Sequence, residues 1–147
     1  MDNFNKLYRD LIIKYYRNPV NKGLIQDSEF DKYFTIKKKN IACSDEIILQ
    51  VKLDKDVITD IKYEAQGCII LQSSASLMSV YLKNIEIKTA IKKINNFCDM
   101  LENKLFDKDI LEEELQIFSL VKGFPGRFVC ASMPWSLLLE VLESSKQ

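Results

Sequence analysis

Two runs of alternating residues, Glu46–Leu53 and Val57–Ala65, flank Asp54-Lys55-Asp56 and constrain the fold more than any other feature of the chain. In the first, Ile47, Leu49, Val51 and Leu53 alternate with Glu46, Gln50 and Lys52. In the second, Val57, Thr59, Ile61, Tyr63 and Ala65 alternate with Asp60, Lys62 and Glu64. A period of two sends successive side chains to opposite faces of a strand. Two such runs separated by a short polar break read as an antiparallel hairpin with one buried face. Gly67 ends the second run and Cys68 follows it. Another strand is expected around Tyr33–Lys38, with Asn40–Ser44 as the loop that joins it to the hairpin.

On either side of this sheet the period changes. Phe4, Leu7, Tyr8, Leu11, Ile12 and Tyr15 fall on one stripe of an amphipathic helix over residues 4–17, which Asn18-Pro19 ends. After Cys68 helical spacing runs to the C-terminus, over roughly 70–82, 86–104, 109–121 and 134–144. Ser73, Ser74, Ala75, Ser76 and Ser79 give the first of these a small-residue face that admits a close neighbour, and Ile87, Ile91, Ile94, Cys98 and Leu101 form an apolar stripe on the second. Strands followed by helices specify an α+β fold, a small antiparallel three-stranded sheet with helices packed on one face. With 147 residues, 47% hydrophobic and 29% charged, the chain is expected to form a single domain over 1–147. A chain of this length buries roughly 68–70% of its unfolded surface, enough to fold without disulfides.

The chain has no histidine. That removes Ser-His-Asp and Cys-His nucleophile pairs, HExxH proteases and HxE zinc deaminases, all of which need an imidazole. Neither GxGxxG nor GxxxxGK[ST] is present, so nucleotide binding through those loops is unsupported. The 21 basic and 21 acidic residues balance, leaving no net field to draw the chain to nucleic acid or a membrane. Lys37-Lys38-Lys39 reads as a solvated strand end. Four unevenly spaced cysteines, with no signal peptide and no long apolar run, point to reduced thiols in the cytoplasm.

Sulfur chemistry, metal binding or plain scaffolding remains. Cys43, Asp45, Cys68 and Cys130 fall at element ends that can converge at one edge of the sheet: two in the loop before the hairpin, one where the last strand becomes a helix, one just before the last helix. Three thiolates and a carboxylate make a tetrahedral zinc set without imidazole. The competing reading is that these cysteines are small buried hydrophobes. Cys98 is explained by its place on the apolar stripe. Arg127 lies three residues before Cys130 in the turn-rich run Gly123–Cys130, whose backbone is expected not to suit a regular helix. It reads either as a surface side chain or as a counter-charge to a thiolate-rich site, which would carry a net double negative charge with zinc bound.

These residues together resemble the SufU proteins, members of the IscU/NifU-like family of iron-sulfur cluster assembly factors. The resemblance runs nearly end to end: Leu7-Tyr-Arg9, Tyr16-Arg-Asn-Pro-Val-Asn-Lys-Gly23, Cys43-Ser-Asp45, Glu64-Ala-Gln-Gly-Cys68 with Ser73-Ser-Ala-Ser76 behind it, and Phe124-Pro-Gly-Arg-Phe-Val-Cys130 through Trp135. The scaffold branch, similar to IscU, has a histidine beside its last cysteine. This chain has none, and its segment from Ile69 to Val129 has the length of the SufU branch. The resemblance implies zinc held by Cys43, Asp45, Cys68 and Cys130, with Cys43 accepting sulfur from a SufS-type cysteine desulfurase for downstream cluster-assembly proteins. Arg127 would assist the released thiolate. A scaffold that holds a transient iron-sulfur cluster is the alternative that the family allows. One departure stands out: the family usually has Gly between the first cysteine and the aspartate, where this chain has Ser44. If the backbone there needs a positive φ, Ser44 is strained by roughly 1 kcal/mol or more.

Overall fold

The hairpin forms as the alternation specifies. The computed structural model describes residues 2–40, 44–123 and 127–145, the side chains of residues 2–4 and of Lys122 excepted; the Phe4 side chain, and Cys43 altogether, lie outside the described residues. Strand β2 (Asp45–Asp54) pairs antiparallel with β3 (Val57–Gln66), and β1 (Phe34–Asn40) pairs antiparallel with the other side of β2. The register sets Ile47 opposite Ala65, Leu49 opposite Tyr63 and Val51 opposite Ile61. All six are buried, so this is the core face. At the turn Lys55 takes φ 57°.

The helices cover that face. Helix α1 (Asp2–Arg17) packs on α2 (Ile69–Leu82), α2 lies against β3, and α5 (Arg127–Ser144) crosses β1 and β2 beside α2. Helix α3 (Ile87–Leu101) backs α5, with the Phe97 and Trp135 rings stacked at 3.9 Å. On α3, Ile87, Ile94 and Leu101 are buried with Ala90 and Phe97, while Ile91 and Cys98 flank this seam half-buried. The opposite face of the sheet is covered in part by the segment after α1. There the Gln50 side chain accepts from Ile25 N–H at 2.6 Å and donates to Ile25 C=O at 3.0 Å, which satisfies a buried amide.

Helix α2 is the centre of the molecule, and its small-residue face has a role the sequence shows only in outline. Each buried serine hydroxyl reaches a neighbouring backbone. Ser73 donates to Ile12 C=O at 2.6 Å, Ser74 to Ala131 C=O at 2.5 Å, and Ser76 accepts from Val20 N–H at 2.8 Å. These bonds tie α1, its trailing turn and α5 to one helix.

Two expected helices differ from the structure. Residues 109–121 form not one helix but a 3₁₀ turn at Lys108–Ile110, a short α4 (Glu113–Ile117) and a 3₁₀ stretch at Phe118–Gly123. Glu112 is extended (φ −61°, ψ 153°), and the break lets Leu111, Leu115, Phe118 and Val121 all reach the core. The last helix begins at Arg127, not near 134, so Pro134 lies inside it. An interior proline costs about 3 kcal/mol, because it offers no N–H to the carbonyl four residues back. Burial of Met133, Trp135, Leu137 and Leu138, at roughly 1.5–3 kcal/mol for each large apolar side chain, outweighs it. The Ser74 bond to Ala131 adds an anchor beside the proline.

Candidate metal centre

Asp45 opens β2, Cys68 is the N-cap residue of α2, and Cys130 stands in the first turn of α5. The expectation that Cys130 precedes the helix is therefore corrected, and so, in part, is the expectation that Gly123–Cys130 does not suit a regular helix: residues 127–130 are helical, while 124–126 lie outside the described residues. Of the four residues expected to converge, the three among the described residues meet at one end of the sheet. A carboxylate oxygen of Asp45 and the sulfurs of Cys68 and Cys130 all lie within 4.8 Å of one another. Asp45 is 2% exposed. Its Oδ1 accepts the Cys68 backbone N–H at 3.2 Å, and its Oδ2 faces the Cys68 Sγ at 3.7 Å.

Local backbone makes this meeting possible at two points. Gly67 has φ +140°, and a Cβ there would stand 2.1 Å from Asp45 Oδ1. The glycine thus turns the chain from β3 into α2 and leaves the space that the carboxylate fills. Ser44 has φ 61°, so the residue before Asp45 does sit in the left-handed region. Asp45 nonetheless reaches the cluster, and the strain at Ser44 has not displaced it.

The electrostatics are those of crowded acids. Burial, then hydrogen bonding to Asp45 and with Cys68, pushes the Cys130 thiol well above the ordinary cysteine range. Three groups that would each be anionic as ligands share a small, largely buried volume, a donor set that a divalent cation satisfies. Cys68 at the head of α2 adds the favourable end of a helix dipole. Cys98 belongs elsewhere: its thiol is pushed up to about 11 by burial and by Glu102 and Asp99, and it packs against the core.

Arg127 is exposed at the start of α5, one turn ahead of Cys130. Its charge is felt by Tyr8 of α1, whose hydroxyl burial drives up to about 12, with Arg127 pulling it down and Cys68 pushing it up. Tyr8 therefore stands close to the site, although its place on the stripe of α1 marks it only as a core residue. Gln72 is another residue the sequence does not single out; its Nε2 donates to Gly67 C=O at 3.2 Å and steadies the turn before Cys68. Ser74, which the sequence marks only as part of a small-residue face, accepts from Trp135 Nε1 at 2.9 Å and donates to the carbonyl of the residue after Cys130, which fixes α5 against the helix that carries Cys68.

Comparison with known proteins agrees with this architecture. The family described as NifU-like N terminal domain matches residues 7–130. The chain is 37% identical over 136 residues to the zinc-dependent sulfurtransferase SufU of Bacillus subtilis (strain 168), covering 92% of this chain and 89% of that one. It is 30% identical over 140 residues to the iron-sulfur cluster assembly scaffold protein IscU of Thermotoga maritima, with 95% of each covered. Among solved structures, an iron-sulfur cluster assembly scaffold protein for the SUF system from Fervidobacterium islandicum AW-1 superposes with a TM-score of 0.78 at 28% identity, covering 93% of this chain and 97% of that one. Among the described residues no helix is long and apolar enough to cross a membrane.

Proposed function

The chain belongs to the family of NifU-like N-terminal domains, and on that footing we propose that it is a zinc-dependent sulfurtransferase, taking persulfide sulfur from a SufS-type cysteine desulfurase for downstream cluster-assembly proteins. The observation that carries this reading is the meeting of Asp45, Cys68 and Cys130 within 4.8 Å. These three hold the zinc, and Cys43 is the fourth ligand. When bound, zinc supplies a redox-inert centre that keeps its thiol ligands deprotonated near neutral pH and accepts exchange of one ligand for another.

Cys43 is joined to Asp45 through Ser44 alone, and two residues of chain span at most about 7 Å, so covalent geometry ties it to the site. As a thiolate it attacks the outer sulfur of the desulfurase persulfide. A new S–S bond forms at Cys43, the S–S bond of the donor breaks, and the donor cysteine leaves as thiolate. One S–S bond replaces another and the transferred sulfur keeps its oxidation state, so no oxidant or reductant is consumed; its proton travels with it. Arg127 offers a guanidinium to the negative charge at this face of the site.

Desulfurase turnover of cysteine, measured with zinc-loaded wild type and with Cys43→Ala, tests the reading. Strong stimulation by wild type and none by the variant is expected, with Cys43→Ala still folded. Equal turnover with both would overturn the relay. The alternative, a scaffold for iron-sulfur clusters, uses the same residues and is the role in the name of the Thermotoga relative; a stable coloured cluster after anaerobic reconstitution would favour it.

A further inference from the structure

We infer that the open edge of the sheet, strand β1 with the groove it forms against α5, receives an extended acidic segment of the desulfurase as a fourth strand. This rests on the sulfur-relay reading. Strand β1 pairs with β2 on one side, and among the described residues no strand pairs with its other side. An unpaired edge is a template for a strand from another chain.

The lysines decide what that strand can be. Lys37, Lys38 and Lys39 are all exposed. A second copy laid edge to edge would set three ammonium groups against three, which disfavours self-pairing. The register puts Lys38 on the same face as Ile36 and Asn40, toward α5, and Lys37 and Lys39 on the opposite face. Because both faces of the edge are basic, an added strand would carry acidic residues at consecutive positions, not alternate ones. The bonds these lysines make now leave room for a partner: Lys38 to Glu140 at 3.9 Å is a solvent-exposed pair, Lys37 reaches the half-buried Glu46 at 3.0 Å from an exposed position, and Lys39 and Lys38 face the groove.

The groove continues to the site. It has a volume of about 450 Å³ and is lined by Lys38, Lys39, Asn40, Ser132, Met133 and Ser136. Ser132 and Ser136 donate to the Val129 and Met133 carbonyls at 3.3 and 3.2 Å, so the groove wall on the α5 side is polar but uncharged, and the lysines supply its charge. Asn40 pairs with Asp45 across the strands, and Ser132 and Met133 follow Cys130 on α5. A segment bound here would run alongside the metal centre, orienting the donor persulfide toward it.

The test titrates zinc-loaded protein into a SufS-type desulfurase from the same source. Lys38→Glu/Lys39→Glu is compared with wild type and with Lys92→Glu/Lys104→Glu, which changes net charge equally on and after α3. Hydrogen exchange of the β1 amides is followed in the same mixtures. The expected result is that the β1 amides of wild type become protected on mixing, and that the β1 variant needs about ten-fold more protein for half-maximal stimulation, with unchanged zinc content. The control variant should behave like wild type. Stimulation by wild type without β1 protection, or with the β1 variant equal to the control, would overturn the docking site and leave the relay standing. No stimulation by wild type would overturn both.

Discussion

Replacing Gly67 by Ala tests whether the site is built on the space beside that glycine. The new Cβ would lie 2.1 Å from Oδ1, 2.7 Å from Cγ and 3.1 Å from Cα of Asp45. Turning the carboxylate away relieves the first two contacts, but the third is with backbone, so the start of β2 must shift as well. An L-residue held near φ +140° costs about 1–3 kcal/mol by itself. Moving the carboxylate also breaks its charge-assisted bond to Cys68 N–H, worth about 1.5–3 kcal/mol. Together these amount to about 2.5–6 kcal/mol, a large part of the ~5–15 kcal/mol that holds a domain folded. At roughly 2–4 °C per kcal/mol for a chain near this size, the melting temperature should fall by roughly 10 °C.

Gly23→Ala separates strain from collision. Gly23 has φ +110°, and a Cβ there meets nothing within 4 Å. It should lose only the backbone share of the stability and keep zinc as wild type does, whereas Gly67→Ala should release zinc faster because Asp45 has left the donor set. Calorimetry with and without zinc, together with a chelator competition, reads both quantities. If Gly67→Ala melted with Gly23→Ala and retained zinc equally, the carboxylate would not occupy the space assigned to it, and the reasoning would fail.

Three further outcomes are expected. Asp45→Ala should weaken zinc retention against a chelator by at least about ten-fold, since a buried ligand is removed and not replaced; unchanged retention would show that Asp45 is not a ligand. Ser44→Gly should raise stability by about 1 kcal/mol by relieving the left-handed backbone at φ 61°, seen as a higher denaturant midpoint, and no gain would mean the strain is already compensated. The third concerns alkaline pH. Glu114 accepts hydrogen bonds from Tyr15 at 2.8 Å and Tyr81 at 2.6 Å; burial, then this contact, pushes Tyr15 up to about 12 and Tyr81 further up. Because these folded-state values exceed the unfolded value near 10, their contribution is complete below about pH 10 and is lost as pH rises toward about 12. Urea unfolding across that window should show stability falling with pH, less steeply in Glu114→Gln, and identical slopes would refute the linkage.

The sheet and the first helices were legible because their signals are local. A period of two identifies β2 and β3 whatever packs on them, and the Ile87–Leu101 stripe identifies α3. What failed were inferences about where a helix begins and whether it is continuous. Pro134 reads as a helix start because proline is tolerated there at least cost, yet the helix runs through it, since burial of Trp135 and its neighbours outweighs the penalty. The region 108–123 has helical spacing but not one helix, because its apolar residues must follow the curved surface of a core already built. The role of Ser74 beside the site was not legible for a related reason: its partners Ala131 and Trp135 come from a distant part of the chain, and no period in the sequence records a bond across a helix interface.

The same distinction divides the site. The placement of Cys68 relative to Cys130 is a property of helix packing: Ser74 bonds Ala131 and Trp135, Trp135 stacks on Phe97, and the ends of α2 and α5 cannot separate without breaking buried contacts. The placement of Asp45 depends on the start of β2, where it pairs with Asn40 just after Ser44 at positive φ, and on the gap left by Gly67. A metal centre built this way has two ligands fixed by the core and the remainder supplied by the chain at the start of β2. For a structural zinc site that asymmetry has no use, because every ligand serves the fold equally. It fits the roles proposed for a relay, in which Cys68 and Cys130 would hold the metal and Cys43, beside the turn, would be the ligand able to leave. Loss of Cys43 should then abolish sulfur acceptance and leave the fold standing, whereas loss of Cys130, buried in the first turn of α5, should cost both.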